Sequence, residues 1–129
     1  KRFKTTLIKT LMAFNYSITE KEGLVFLEMK GRLVDKAEAI DIGADVEEQM
    51  TLGRNYFVID LSELEYMNST GLNIMLNLMN KSRNNGGEAV VACATARIKS
   101  LFSVTKLDTV FTLKDSCEEA VKHLKELSQ

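Results

Sequence analysis

The order of apolar periodicities predicts an α/β fold, with a mixed four- to five-stranded sheet, an N-terminal antiparallel hairpin and about four helices. Three observations predict it. Two short segments of alternating polarity flank a turn at Lys21-Glu22-Gly23 near the start. Two continuous apolar runs, residues 56–61 and 89–94, read as strands covered on both faces. Segments with i, i+3, i+4 apolar spacing separate and follow them, giving crossovers long enough for parallel strands and expected to be right-handed.

Taken in order, Phe14, Tyr16 and Ile18 alternate with polar residues, and so do Val25, Leu27 and Met29. These are the two strands of the hairpin. Gly31-Arg32-Leu33-Val34-Asp35 closes the unit, with Asp35 placed to cap a helix over residues 36–50. The apolar stripe of that helix reads as Ala37, Ile40, Ala44 and Met50, interrupted by Gly43. The next strand ends at Asp60, and a helix opens near Asn68 or Ser69. Leu72, Met75, Leu76 and Met79 form the stripe of this helix, broadened by Ile74 and Leu78, so little of it should face water. Asn84-Asn85-Gly86-Gly87 ends it. After the strand at 89–94, Thr95 caps a helix carrying Ile98, Leu101 and Phe102. A short strand at 110–113 follows. Ser116 with Glu119 is a capping-box pattern for the last helix, whose stripe is Cys117, Ala120, Val121, Leu124 and Leu127.

Bulk properties narrow the function classes. A chain of 129 residues with 45% apolar content suits one domain with a real core. Lys+Arg is 17 against Asp+Glu 18, so charge gives no reason to expect a nucleic-acid partner. No apolar run has the length of a membrane span, and direct membrane insertion is not expected. Residues 1–11 carry Lys1, Arg2, Lys4 and Lys9 and no acid. They read as a basic extension, upstream of a natural start at Met12 and of a single domain over 12–129. A basic amphipathic arm at a membrane surface is the alternative reading of that segment.

Catalytic chemistry is sparse. His123 is the single histidine and sits beside the inner stripe of the last helix. Ser69 lies in no Gly-x-Ser-x-Gly elbow, and no Gly-x-x-x-x-Gly-Lys loop exists. Cys93, in a strand, and Cys117, on a helix, read as core residues in a reducing compartment. No histidine or cysteine spacing suggests a metal site, and no cofactor is expected. Glu63 and Glu65 read as a solvated face.

The chemistry-bearing stretch is the junction between Asp60-Leu61-Ser62 and Met67-Asn68-Ser69-Thr70-Gly71-Leu72. A helix N-terminus presents free N–H groups and the positive end of a dipole, so a hydroxyl there is exposed next to a place that tolerates an anion. On local pattern Ser69 is a helix N-cap. Gly71 either leaves the loop open to a partner or lets helix and sheet approach closely.

The order Asp60-Leu61-Ser62, Met67-Asn68-Ser69-Thr70-Gly71-Leu72, Gly86-Gly87 and Ile98-Lys99-Ser100-Leu101-Phe102 resembles the STAS domain. More narrowly it resembles the bacterial anti-sigma factor antagonists (anti-anti-sigma factors), over about residues 14–127. That resemblance implies the α/β architecture and a cytoplasmic, phosphorylation-switched regulator of transcription that is not an enzyme. It implies binding to an anti-sigma factor that is also a serine kinase, release of a sigma factor, and resetting by a phosphoserine phosphatase. Ser69 matches the family's phosphorylated serine. Val34, Asp35, Asn68, Ser69, Thr70, Gly71 and Leu72 match its partner-binding face. The family usually places an acid where this chain has Asn68, Asp where it has Val34, and Gly-Leu where it has Lys106-Leu107. An alternative within the same family is a scaffold subunit or the cytosolic STAS module of a membrane transporter. A hydrolase using Ser69 is the enzymatic alternative.

Overall fold

The computed structural model describes residues 14–128, and the basic extension at 1–11 and Met12 lie outside them. Strands β1 (Phe14–Lys21) and β2 (Leu24–Leu33) form the expected hairpin. Helix α1 (Lys36–Thr51), strand β3 (Tyr56–Met67) and helix α2 (Ser69–Asn84) follow. Strand β4 (Glu88–Ala92), helix α3 (Ala96–Val104), a 3₁₀ turn (Leu107–Thr109), strand β5 (Thr112–Lys114) and helix α4 (Cys117–Leu127) complete the chain. The sheet has five strands in the order β1-β2-β3-β4-β5; β1 is antiparallel to β2 and the other neighbours are parallel.

Helices cover both faces of the sheet. Phe57 and Ile59 point to the layer of α1, α2 and α3, where they meet Ile42, Met75, Ile98 and Phe102. Val58 points the other way and packs with Val90, Ala120 and Leu124 beneath α4. This two-sided burial is why the central strands read as unbroken apolar runs. Full burial of a side chain such as Phe102 or Ile59 stabilises the fold by roughly 1.5–3 kcal/mol.

Several sequence expectations change. The strand expected to end at Asp60 runs on to Met67. Its first five residues pair with β4, and beyond Asp60 it pairs with β2 alone, through register shifts between Glu28 and Lys30 and between Gly31 and Arg32. Each shift adds one residue to β3, so the buried positions fall three apart: Leu61, Leu64 and Met67 are buried while Glu63 and Glu65 are exposed. Secondly, α1 buries Ala39, Ile42, Val46 and Met50, and Ile40 is 61% exposed. The phase is set by the stripe that carries two branched side chains, with Gly43 letting Ile74 of α2 approach. Thirdly, β4 stops at Ala92, and Cys93 turns out of the strand with φ +60. The last strand also begins two residues later than expected, at Thr112, and Val110 is left partly exposed.

The helix after β3 has a wider polar side than its apolar content suggested. Asn73, Asn77 and Asn80 are exposed, while Leu72, Met75, Leu78 and Met79 are buried. Among the described residues, no helix is long and apolar enough to cross a membrane.

Candidate functional site

The site forms where the extended ends of β2 and β3 deliver the chain into two helices. Leu33 and Met67 are register partners, and the next residue's N–H, that of Asn68, donates to the Leu33 carbonyl at 3.3 Å. The loops at Val34–Asp35 and at Asn68 are thereby held side by side. Each leads directly into a helix N-terminus, so two dipoles have their positive ends at the same edge of the domain.

Both helices are capped by side chains. The Asp35 carboxylate accepts from the Ala37 N–H at 2.8 Å, as the sequence predicts. On α2 the cap is Asn68 and not Ser69. Its Oδ1 accepts from the N–H groups of Thr70 at 3.0 Å and Gly71 at 3.4 Å. Its Nδ2 donates to the Val34 carbonyl at 3.3 Å. The extension of β3 to Met67 places Asn68 at the boundary and pushes Ser69 to the first helical position. The signal for this role was present, because asparagine ranks with serine as a preferred cap.

Ser69 is consequently exposed, and its hydroxyl takes no part in capping. Asn68 and Thr70 are half-buried. Gly71 and Leu72, also on the expected partner face, point inward, and Leu72 is only 8% exposed. A Cβ on Gly71 would lie 2.7 Å from the Met67 Cβ and 3.1 Å from two Leu33 side-chain atoms. Of its two readings, close helix–sheet packing is the one observed. Val34 is 42% exposed, a solitary apolar side chain at the rim. Beside it on the strands, the Arg32 guanidinium lies 4.9 Å from the centre of the Tyr66 ring, a cation–π contact.

This arrangement holds a nucleophile-sized hydroxyl in the open, on a rigid cap, in a field that favours an anion. His123 lies on α4, which packs on the opposite face of the sheet.

Residues 15–120 match the model of the STAS domain family. BtrV of Bordetella bronchiseptica, provisionally named an anti-sigma factor antagonist, is 26% identical over 104 residues, covering 81% of this chain and 89% of BtrV. A crystal structure of a Thermotoga maritima protein, provisionally named in the same way, superposes with a TM-score of 0.78 at 20% identity, over 85% of this chain and 94% of that one. The anti-sigma factor antagonist SpoIIAA in its unphosphorylated form superposes with a TM-score of 0.73 at 19% identity, over 88% and 97%. Together with the observed five-stranded sheet and its N-terminal hairpin, the match over most of the chain establishes that this protein belongs to the STAS domain family.

Proposed function

We propose that this protein is an anti-sigma factor antagonist switched by phosphorylation of Ser69. In the unphosphorylated state it binds an anti-sigma factor that is also a serine kinase, and a sigma factor is set free. The kinase transfers a phosphoryl group to the Ser69 hydroxyl and dissociates, and a phosphoserine phosphatase restores the binding form. The protein is substrate and ligand in this cycle and acts in the cytoplasm without catalysing a step itself.

The observation that carries this reading is the exposed Ser69 hydroxyl, unengaged because Asn68 caps the helix. A phosphate there adds a charge of about −1.5 to −2. The positive end of α2 tolerates that charge in the free protein, so the fold persists. Under a partner packed over Val34, Asp35, Asn68, Ser69 and Thr70, the same charge must be desolvated, and the complex is lost. Gly71 and Leu72 support this face from below.

The test is the intact mass of the protein purified from its own host, beside that of Ser69→Ala. A fraction heavier by one phosphate in the wild type and absent in the variant is expected. Unmodified protein across growth conditions in which the sigma factor is alternately active and silent would sink the proposal.

A further inference from the structure

The Asp60 carboxylate and the thiols of Cys93 and Cys117 come together on the α4 face of the sheet. One donor atom from each lies within 4.8 Å of the other two, and all three residues are half-buried. Asp60 stands at the last β3 position paired with β4, Cys93 directly follows β4, and Cys117 is the first residue of α4. Three separate elements thus supply one donor each. We propose that Asp60, Cys93 and Cys117 form a binding site for a borderline-soft divalent cation of the Zn²⁺ class.

The spacing suits a tetrahedral ion. With Zn–S near 2.3 Å and Zn–O near 2.1 Å, a tetrahedron separates sulfur from oxygen by about 3.6 Å. The Cys117 Sγ lies 3.5 Å from the Asp60 Oδ2. The other carboxylate oxygen, Oδ1, accepts from the Ser62 N–H at 3.0 Å, which orients Oδ2 toward the thiols, as a supporting hydrogen bond does for a metal-ligating carboxylate. Cys93 is held by its own N–H, which donates to the Lys114 carbonyl at 3.0 Å, in the left-handed backbone conformation at φ +60.

Binding would convert both thiols to thiolates, release two protons to solvent and leave the fourth position to water or an exchangeable ligand. In the ion-free protein the Cys117 thiol donates to the Asp60 Oδ2; a divalent ion would replace that proton and engage all three groups, whereas a Cys93–Cys117 disulfide would engage only the two thiols. Such an ion would tie the sheet to the start of α4, on the face opposite the three helices that include the Ser69 helix.

The test uses the full chain, free of any histidine tag, reduced with a phosphine and stripped with a chelator. It is titrated with Co²⁺ as the spectroscopic probe and then with Zn²⁺ as competitor. A thiolate-to-cobalt charge-transfer band saturating at one Co²⁺ per chain and removed by one Zn²⁺ is expected. Cys93→Ser and Cys117→Ser should each abolish the tight, saturable band, and Asp60→Asn should weaken Co²⁺ binding at least tenfold. X-ray absorption of the zinc-loaded wild type should show two sulfur neighbours, and this readout needs no variant to fold. A folded, reduced wild type that gives no band, or zinc bound without sulfur neighbours, would overturn the proposal.

Discussion

The Asn68 side-chain amide donates to the Val34 carbonyl at 3.3 Å, while its oxygen receives the first free N–H groups of α2. One side chain therefore joins the loop after β2 to the helix after β3. An aspartate could keep the acceptor half of this arrangement but has no N–H for Val34. The residue that departs from the family's usual acid is thus the one that fastens the two loops of the candidate surface to each other.

Removing that side chain should cost more than changing its charge. Asn68→Ala loses the cap and the Val34 contact and should destabilise by about 1–2 kcal/mol. Asn68→Asp loses only the donor and gains a negative charge at the positive end of α2, which contributes about 0.3–1 kcal/mol. Urea unfolding midpoints should place it much nearer the wild type than the alanine variant. Equal losses would mean that the Val34 bond, not the cap, carries the effect.

Changes at Ser69 should separate stability from binding. The hydroxyl caps nothing, so Ser69→Ala should shift unfolding by less than about 0.5 kcal/mol. Ser69→Asp should be neutral or slightly stabilising, because it adds an acid to the first turn of α2. Its affinity for the anti-sigma factor should nevertheless fall at least tenfold, which calorimetric titration of both variants would read.

Two helical glycines should respond to alanine with opposite signs. At Gly71 the new Cβ meets the Met67 Cβ at 2.7 Å, and Leu33 closes the other side. The resulting overpacking, about 1–3 kcal/mol, outweighs the helix-propensity gain of up to about 1 kcal/mol. At Gly43 the nearest atom is the terminal Ile74 Cδ1 at 3.2 Å, the flexible end of a side chain that can rotate away. Gly43→Ala should be neutral or stabilise by up to about 1 kcal/mol, and thermal melts of the pair would show the contrast.

Alkaline stability should depend on Tyr16. Its hydroxyl donates to the Asp45 Oδ2 at 2.6 Å, linking β1 to α1. Burial, then this bond and the charges of Asp45 and Asp41, hold the phenol protonated well above its ordinary range. The raised folded value means that the unfolded chain gives up the proton first. The contribution is therefore complete below about pH 10, the phenol's unfolded value, and is lost as pH rises beyond it. Unfolding free energy measured from pH 8 to 11 should fall more steeply in the wild type than in Tyr16→Phe.

The sequence by itself determined the alternation of strands and helices, the hairpin, the cap at Asp35 and the α/β class. Each of these rests on local signals, a period of two or of 3.6 or a turn residue, and such signals keep their meaning wherever the segment lies. The family resemblance was legible for a related reason, since it rests on short contiguous motifs in a fixed order, from Asp60-Leu61-Ser62 to Ile98-Lys99-Ser100-Leu101-Phe102. Tertiary structure decided the rest. Whether Asn68 or Ser69 caps α2 depends on how far β3 runs, and that depends on β2 continuing to pair with it past the end of β4. Whether Ile40 or Ile42 faces inward depends on which side of α1 meets the sheet and α2. Asp60, Cys93 and Cys117 share one place only because parallel pairing sets the middle of β3 and the end of β4 beside the start of α4. Contacts between distant segments carry no periodicity along the chain, so their geometry arises only when the sheet assembles.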